Sequence, residues 1–189
     1  MGRSGTSAKK RENDGAESKH FCAFFLFFLP ADGYNFFVKI VVMSDSHGHD
    51  ANVRKVIDLN PDADYFLHCG DLCSDEDQFP EVIFVRGNND WYSDFPHHRI
   101  INFEQVRIYM IHSERYWGMG RIKSLSKLCK DNGCQLCFYG HTHTQEDDFY
   151  DGVRLMNPGS LFYNRDGTDI GYIVLTIHGS QYEVERKTL

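Results

Sequence analysis

The chain has 189 residues, of which 41% are hydrophobic, 14% aromatic and 25% charged, a composition and length typical of one globular domain rather than two. Its 27 acidic residues outnumber its 20 lysines and arginines, and the formal charge is −7. We therefore expect no nucleic acid as the main partner, because neutralising a phosphate backbone requires a basic surface.

The first 36 residues differ in character from the rest of the chain. Residues 1–20 are rich in Gly, Ser, Lys and Glu without apolar periodicity, which predicts disorder. Residues 21–29 form a Phe-rich run that is shorter than the ~20 residues needed to span a bilayer, although it has the length of a signal-peptide core. A poor cleavage site at Pro30 favours a non-native or upstream-translated extension. We predict that residues 1–36 are such a disordered or non-native extension, that residues 37–189 form the domain, and that the protein is cytoplasmic with no membrane association.

From residue 37 onward, apolar runs of strand length alternate with amphipathic segments. The run Val38–Met43 is β-branched and stops at a short polar turn, and residues 51–59 then place apolar side chains at helical spacing. The remaining predicted elements are strands at Tyr65–His68 and 82–85, a hairpin of 99–103 and Val106–Ile111, a helix at 121–130, a strand at 135–139, a run at 149–156 that turns at Asp151 and Gly152, and a final hairpin of 170–177 and 181–185. This order predicts a mixed α/β layered fold.

Five of the predicted strands end at a polar residue of metal-ligand type. Ligands of open α/β sheets collect at the carboxyl edge of the strands, so these side chains are expected to lie together. Taken singly, Asp45 could cap the helix that begins near Asp50, and Asp71 or Asn88 could be turn residues. Together, carboxylates and imidazoles at one edge would be costly without a shared cation. The seven side chains are Asp45, His47, Asp71, Asn88, His112, His141 and His143.

The motifs Asp45-x-His47, Gly70-Asp71, Gly87-Asn88-x-Asp90, His112 and Gly140-His141-x-His143 together resemble those of the calcineurin-like metallophosphoesterases. The small domain, the Gly-Asn-Asn-Asp sequence and the late Asn-Pro-Gly-Ser at 157–160 are most similar to the small prokaryotic YfcE-type phosphodiesterases. The resemblance covers residues 37–189. It implies an α/β fold, a four-layer metallophosphoesterase sandwich in which helices flank two packed mixed β-sheets within a single domain.

The resemblance also implies a dinuclear metal site. One metal would be bound by Asp45, His47, Asp71 and His143, and the other by Asp71, Asn88, His112 and His141, with Asp71 bridging and with Asp71, Asn88 and His112 as the catalytic residues. Nitrogen-rich ligation suits two divalent transition metal ions, with Mn²⁺ expected first and Ni²⁺, Zn²⁺ or Fe²⁺ as alternatives. Such a pair attracts an anionic phosphoester and can activate a bridging water or hydroxide as the nucleophile.

Asn89 departs from the family pattern, because many relatives place at this position a histidine that is thought to protonate the leaving group. An amide cannot donate a proton near pH 7, and general acid catalysis is worth about 10² to 10⁴ in rate. We therefore expect a modest enzyme that favours esters with good leaving groups, with Asn89 and His49 as candidate substrate contacts. A second departure is Ser113, where glycine is usual, and we expect it to leave His112 unaffected.

Three further features allow two interpretations each. Four aromatic-ring residues follow the third ligand turn, namely Trp91, Tyr92, His97 and His98. They would either line the substrate pocket or act as packing or interface groups. Residues 157–160 would present backbone donors to phosphate or form a plain turn, which we favour. The six cysteines lie in or beside apolar runs and are expected to be buried thiols. A zinc or redox role for Cys134-x-x-Cys137 is the alternative, although both cysteines fall in one predicted strand.

The predicted function is a metal-dependent phosphodiesterase acting on small phosphoesters. Two alternatives stay open: a protein-binding scaffold of the same fold, as in a retromer subunit of eukaryotes, and a phosphomonoesterase. The complete set of ligand positions favours catalysis over the scaffold. A homo-oligomer is compatible with the sequence.

Overall fold

A computed structural model describes residues 37–189. The predictions made for residues 1–36, including the apolar run 21–29 and Cys22, lie outside the described residues. The described part contains ten strands and two α-helices, namely β1 (Val38–Met43), α1 (Asp50–Asp58), β2 (Tyr65–His68), β3 (Val82–Phe84), β4 (His98–Phe103), β5 (Val106–Ile111), α2 (Arg121–Asp131), β6 (Leu136–Tyr139), β7 (Gln145–Tyr150), β8 (Val153–Pro158), β9 (Gly171–His178) and β10 (Gln181–Thr188).

The strands form two mixed five-stranded sheets. The first sheet has the order β10-β9-β1-β2-β3, in which β1, β2 and β3 are parallel and β9 and β10 are antiparallel additions. The second has the order β4-β5-β6-β8-β7, in which β5, β6 and β8 are parallel. Parallel strands require crossover connections, and the chain uses α1 between β1 and β2 and α2 between β5 and β6.

Alternating side chains of each central strand enter two different cores. In β1, Ile40 and Val42 face the second sheet, whereas Val41 and Met43 pack with Val53 of α1 on the outer face. The second sheet repeats this arrangement, because its outer residues pack on α2. The result is four layers, helix, sheet, sheet and helix, as the family resemblance implied. Strands buried on both faces explain why the apolar runs are continuous rather than alternating.

The boundaries of several elements differ from the sequence-based expectation. Strand β7 begins at Gln145, four residues before the predicted run, because its polar residues lie on an edge strand that pairs only with β8. For the same reason β10, an edge strand of the first sheet, continues to Thr188, beyond the predicted end at residue 185. Two short 3₁₀ helices, Glu76–Gln78 and Gly118–Gly120, were not predicted.

The cysteine prediction needs one correction. Cys137 lies in β6 but Cys134 precedes that strand, so the two do not share an element. All five cysteines among residues 37–189 are free, and only Cys73 is exposed. Within the same residues, no helix has the length and apolar character needed to cross a membrane.

Candidate metal centre

The carboxyl ends of β1, β2, β3, β5 and β6 bring together all seven side chains singled out in the sequence. In three groups of residues the possible ligand atoms all lie within 4.8 Å of one another: Asp45, His47 and His143; Asp45, Asp71 and His112; and Asp71, Cys73 and Asp90. The Nε2 atom of His143 lies 3.2 Å from Asp45 Oδ1, and His112 Nε2 lies 3.4 Å from Asp71 Oδ2. These atoms form a compact centre between the two sheets' loops.

Asn88 and His141 complete the cluster from its sides. The side-chain oxygen of Asn88 lies 3.2 Å from His112 Nε2. The backbone N–H of His141 donates to Asp45 Oδ2 over 3.0 Å, and its ring lies edge-on to His112 with 5.2 Å between ring centroids. Asp45 belongs to both groups that contain a histidine, whereas the family resemblance implies Asp71 as the shared ligand. Asp71 Oδ2 is nevertheless within 3.7 Å of His47 Nε2 as well as close to His112.

The backbone at the cluster is held in the left-handed region that favours glycine. Asp45, Asp71 and His141 have φ angles of 53°, 57° and 76°, and His47 and His143 have 45° and 55°. Such conformations cost about 1 to 3 kcal/mol each in non-glycine residues and persist only where the surroundings hold them. This backbone conformation directs the side chains of the tight turns toward the cluster. The interpretation of Asp45 as a helix cap is wrong, because α1 begins after His49 and has no side-chain cap.

Hydrogen bonds outside the cluster fix the orientation of two imidazoles. His112 Nδ1 lies 2.8 Å from the carbonyl of Cys69, and His143 Nδ1 lies 3.1 Å from the carbonyl of Tyr163. A carbonyl can only accept, so in both rings Nδ1 carries the proton and donates it. In the neutral rings Nε2 then presents a lone pair to the cluster, as histidines that bind metals do.

The charges of the cluster are strongly coupled. Burial alone would raise the pKa of the Asp45 carboxyl, but the close approach of the His143 ring, the charge of His112 and the hydrogen bond from Ser44 outweigh burial and lower it. In Asp71, contacts with His112 and Asn89 likewise overcome burial and hold the pKa well below its usual range. For His112 burial works in the opposite direction, yet the two carboxylates raise its pKa to about 9. Asp45 and Asp71 are therefore both ionised, and their two negative charges are stabilised by positive charge between them.

One atom shows that the donors fit a bound cation. Asp45 Oδ1 is completely buried and has no hydrogen-bond partner among residues 37–189, although the Nε2 atoms of His47, His112 and His143 all lie within 3.9 Å of it. An ionised oxygen left in this way is costly unless a cation shares it. Burial is the main cause that lowers the pKa of His47 and His141, which keeps both rings in the neutral form that binds metals. Imidazole nitrogen, carboxylate and amide oxygen together suit divalent transition metals.

Comparison with known proteins agrees with this geometry. The sequence profile of the calcineurin-like phosphoesterase superfamily domain matches residues 38–180. The chain belongs to the calcineurin-like phosphoesterase superfamily. A probable metallophosphoesterase of Methanocaldococcus jannaschii is 32% identical over 129 residues, which cover 64% of this chain and 67% of that protein. A phosphodiesterase of the same organism is 28% identical over 145 residues, covering 65% and 83%.

Solved structures confirm the fold of this phosphoesterase. A predicted phosphoesterase from Streptococcus pneumoniae superposes with a TM-score of 0.73 and 26% identity, over 81% of this chain and 90% of that chain. Wild-type Vps29 of Entamoeba histolytica, solved with zinc, has a TM-score of 0.64 and 20% identity, over 79% and 98%. The family uses divalent metals, and the prediction of a metallophosphoesterase is confirmed at the level of the family.

The two predicted substrate contacts have other partners in the phosphoesterase. Asn89 donates its side-chain amide to Asp71 Oδ2 over 2.6 Å and its backbone N–H to Asp71 Oδ1 over 2.7 Å. His49 stacks on Phe162, with 4.4 Å between ring centroids, and its Nδ1 lies 3.1 Å from the carbonyl of Ser46. Asn89 thus supports a carboxylate of the cluster. One face of the His49 ring packs on Phe162.

Several residues that support the cluster were not assigned a role from the sequence. Asp90 accepts three backbone N–H groups, from Asp71, Gly87 and Cys73, and so ties two ligand turns together. The Gly-Asn-x-Asp spacing was a usable signal, because Asp side chains often accept turn amides. His68 is buried and lies 3.1 Å from the Ser46 hydroxyl, a contact between separate segments that no local pattern reveals.

The stretch 157–160 is a brace rather than a plain turn. Asn157 and Pro158 belong to β8, and the Asn157 amide donates to the Gly140 carbonyl and to Thr142. Ser160 donates its hydroxyl to the backbone carbonyl of Asp45. The N–H groups of residues 159 and 160 are bonded within the chain, so these two donors do not face a phosphate. Ser113, as expected, leaves His112 in place, since its hydroxyl donates to Gly140.

The aromatic residues after the third ligand turn divide into two groups. Trp91 and Tyr92 line an open groove together with Asn89. His98 lies in β4 and stacks on Tyr109, with ring planes 6° apart, so it serves packing in the second sheet.

Proposed function

We propose that this phosphoesterase is a metal-dependent phosphodiesterase that hydrolyses small phosphoesters. The observation that carries the proposal is the buried, unpaired Asp45 Oδ1 surrounded by three imidazole Nε2 atoms. The residues that would hold two divalent transition metals are Asp45, His47, Asp71, Asn88, His112, His141 and His143, and we expect Mn²⁺ first. When bound, the metals supply Lewis-acid activation of water and neutralise charge on the phosphoester.

The residues around the cluster prepare it for this role. The carbonyls of Cys69 and Tyr163 fix the rings of His112 and His143, and Asn89 holds both oxygens of Asp71. Cys73 lies 3.6 Å from His47 Nδ1, but desolvation and the carboxylates Asp71 and Asp90 raise its pKa to about 12. It therefore stays a neutral thiol and is not proposed as a nucleophile.

The commitment of Asn89 to Asp71 supports a preference for diesters and activated aryl esters. Its amide has no proton to give to a leaving alkoxide, so the rate depends more on the acidity of the departing alcohol. Because of this we rank phosphomonoesterase activity second, although a dianion would also suit the cluster once two divalent metals are bound.

The test is hydrolysis by purified protein that is stripped with chelator and reloaded with Mn²⁺. We expect a bis-aryl phosphate to be cleaved faster than the mono-aryl phosphate with the same leaving group. Asp71→Asn should lose both stoichiometric metal and activity, whereas Asp58→Asn, an exposed carboxylate at the end of α1, should keep both. Unchanged metal content and activity in Asp71→Asn would refute the dinuclear mechanism.

A protein-binding scaffold of the same fold is the second candidate function. It is suggested by the neighbours named Vps29, whose identities of 20% or less establish a shared fold only. Protein that binds no stoichiometric metal and hydrolyses neither ester would support this candidate instead.

A further inference from the structure

A groove of about 390 Å³ opens beside the cluster. Two of its lining residues touch the candidate ligands: Asn89 donates to Asp71, and the Cys73 sulfur lies 3.6 Å from His47. Trp91, Tyr92 and Phe95 line the same groove. The groove therefore joins the position of a phosphate at the cluster to a wall of aromatic rings.

Trp91 and Tyr92 are unusually exposed for large aromatic residues. The two residues are 70% and 96% exposed, and their rings stack with planes 8° apart and centroids 5.8 Å apart. The turn that presents them is well held, because Arg86 donates to the carbonyl of Trp91 and Ser93 donates to the carbonyl of Asp90. Parallel aromatic faces on a fixed turn are suited to stacking with a planar ring.

The remaining lining favours a ligand group without negative charge. Three acidic residues, Asp75, Glu76 and Asp90, line the same groove, and no lysine or arginine among residues 37–189 lines it. An anionic group would be repelled there, whereas an uncharged aromatic ring meets the exposed indole and phenol faces at no electrostatic cost.

We propose that this groove is a subsite for the uncharged aromatic part of an ester alcohol, held by Trp91 and Tyr92 while the phosphate lies at the cluster. The proposal rests on the proposed function only in assigning the bound ring to a phosphoester. It predicts selection among phosphodiesters by aromatic character, in addition to leaving-group acidity.

Fluorescence of the full chain tests the binding step without catalysis. The sequence has two tryptophans, so Trp117→Phe leaves Trp91 as the sole indole fluorophore. We expect adenosine, an uncharged aromatic alcohol, to change the Trp91 emission in a saturable way, and ribose to have no effect. Adding Tyr92→Ala should weaken the adenosine affinity at least about fivefold. Phe149→Ala, an aromatic residue of β7 with 74% exposure outside the groove, is the matched control and should change nothing.

The outcomes separate this subsite from the catalytic proposal. Saturable quenching by adenosine supports the groove even if no phosphoester is hydrolysed. Metal-dependent hydrolysis without any adenosine effect overturns the subsite and leaves the catalytic proposal intact. If Trp91→Ala or Tyr92→Ala instead dissociates a dimer in ultracentrifugation and adenosine causes no quenching, the aromatic pair is a protein interface and the subsite is overturned.

Discussion

Asn89 shows how a single residue departs from its family and takes a different partner. Its backbone N–H and side-chain amide bond the two oxygens of Asp71, so one residue sets the plane of a central carboxylate. Substituting a group that orients a metal ligand in this way typically costs about 10- to 100-fold in metal affinity or activity. Asn89 is therefore expected to act through Asp71 rather than on substrate.

We predict that Asn89→Ala weakens binding of Mn²⁺ by about 10- to 100-fold, because the Asp71 carboxylate loses one of its two donors. The measurement is competitive titration against a chelating indicator. Asn102→Ala, at an exposed position in β4, serves as the control. An affinity unchanged in Asn89→Ala would show that the amide does not orient Asp71.

His68 is a buried histidine that supports the cluster without joining it. Burial lowers its pKa to about 4, and the nearby carboxylates Asp45 and Asp90 oppose burial only in part. The unfolded chain takes up a proton near pH 6.5, whereas the folded chain does so only near the lower value. Because of this difference, the folded state becomes less stable as the pH falls from about 6.5 to 4. Below pH 4 the contribution of His68 to the unfolding free energy stays nearly constant.

We predict that metal-free wild-type protein loses about 3 kcal/mol more unfolding free energy than His68→Gln between pH 7 and pH 4. Urea unfolding at a series of pH values, with chelator present, measures the difference. Parallel pH profiles for the two proteins would mean that His68 is accessible to protons in the folded state.

At the scale of secondary structure elements, Glu146 links three of them. The β7 carboxylate accepts from Arg121 at the start of α2, over 2.7 and 2.8 Å, and from the Tyr139 hydroxyl at the end of β6. Thr144 donates to the same group. The Arg121 and Glu146 side chains are only 17% and 25% exposed, so the pair is weakly screened by solvent. Tyr139 directly precedes Gly140 and His141, and this network therefore fixes the base of a ligand loop.

We predict that Glu146→Ala lowers the unfolding free energy by about 2 to 3 kcal/mol, because Arg121 and the Tyr139 hydroxyl lose their partner. Asp147→Ala is the matched control one residue away. Its ion pair with Arg154 is 38% and 30% exposed, and removal should cost less than about 1 kcal/mol. Equal losses in chemical denaturation would contradict the distinction.

The whole molecule places two unprotonated carboxylates and several imidazoles where the sheets' loops meet. That arrangement stabilises the folded state most when a cation is bound, because the unfolded chain separates the ligands. Binding that is specific to the folded state adds about 2.7 kcal/mol at a metal concentration 100-fold above the Kd.

We predict that saturating Mn²⁺ raises the melting temperature of chelator-treated protein by about 5 to 10 °C. Differential scanning calorimetry measures the shift, and Asp71→Asn should show little of it. If the melting temperature of the wild-type protein is the same with and without Mn²⁺, the cluster does not bind the ion in the folded state.

The sequence by itself determined the layered α/β fold and the identities of the seven clustered residues. Continuous β-branched runs such as Val38–Met43 can be satisfied only by strands covered on both faces, and polar residues at the ends of parallel strands must share an edge. The strand runs can be recognised in one segment at a time, whereas the seven ligand-type residues could be recognised only when all the strand ends were considered together.

Only the tertiary structure decided how the cluster is assembled and supported. The left-handed backbone of Asp45 and His141, the bond from Asn89 to Asp71 and the brace from Ser160 to Asp45 all depend on neighbours far away in the chain. The predicted start of the edge strand β7 lies four residues after the observed one for the same reason, because its polar residues adopt the strand conformation by pairing with β8. Contacts between distant segments fix conformations that local preference alone would disfavour, and for that reason they were decided by the folded chain.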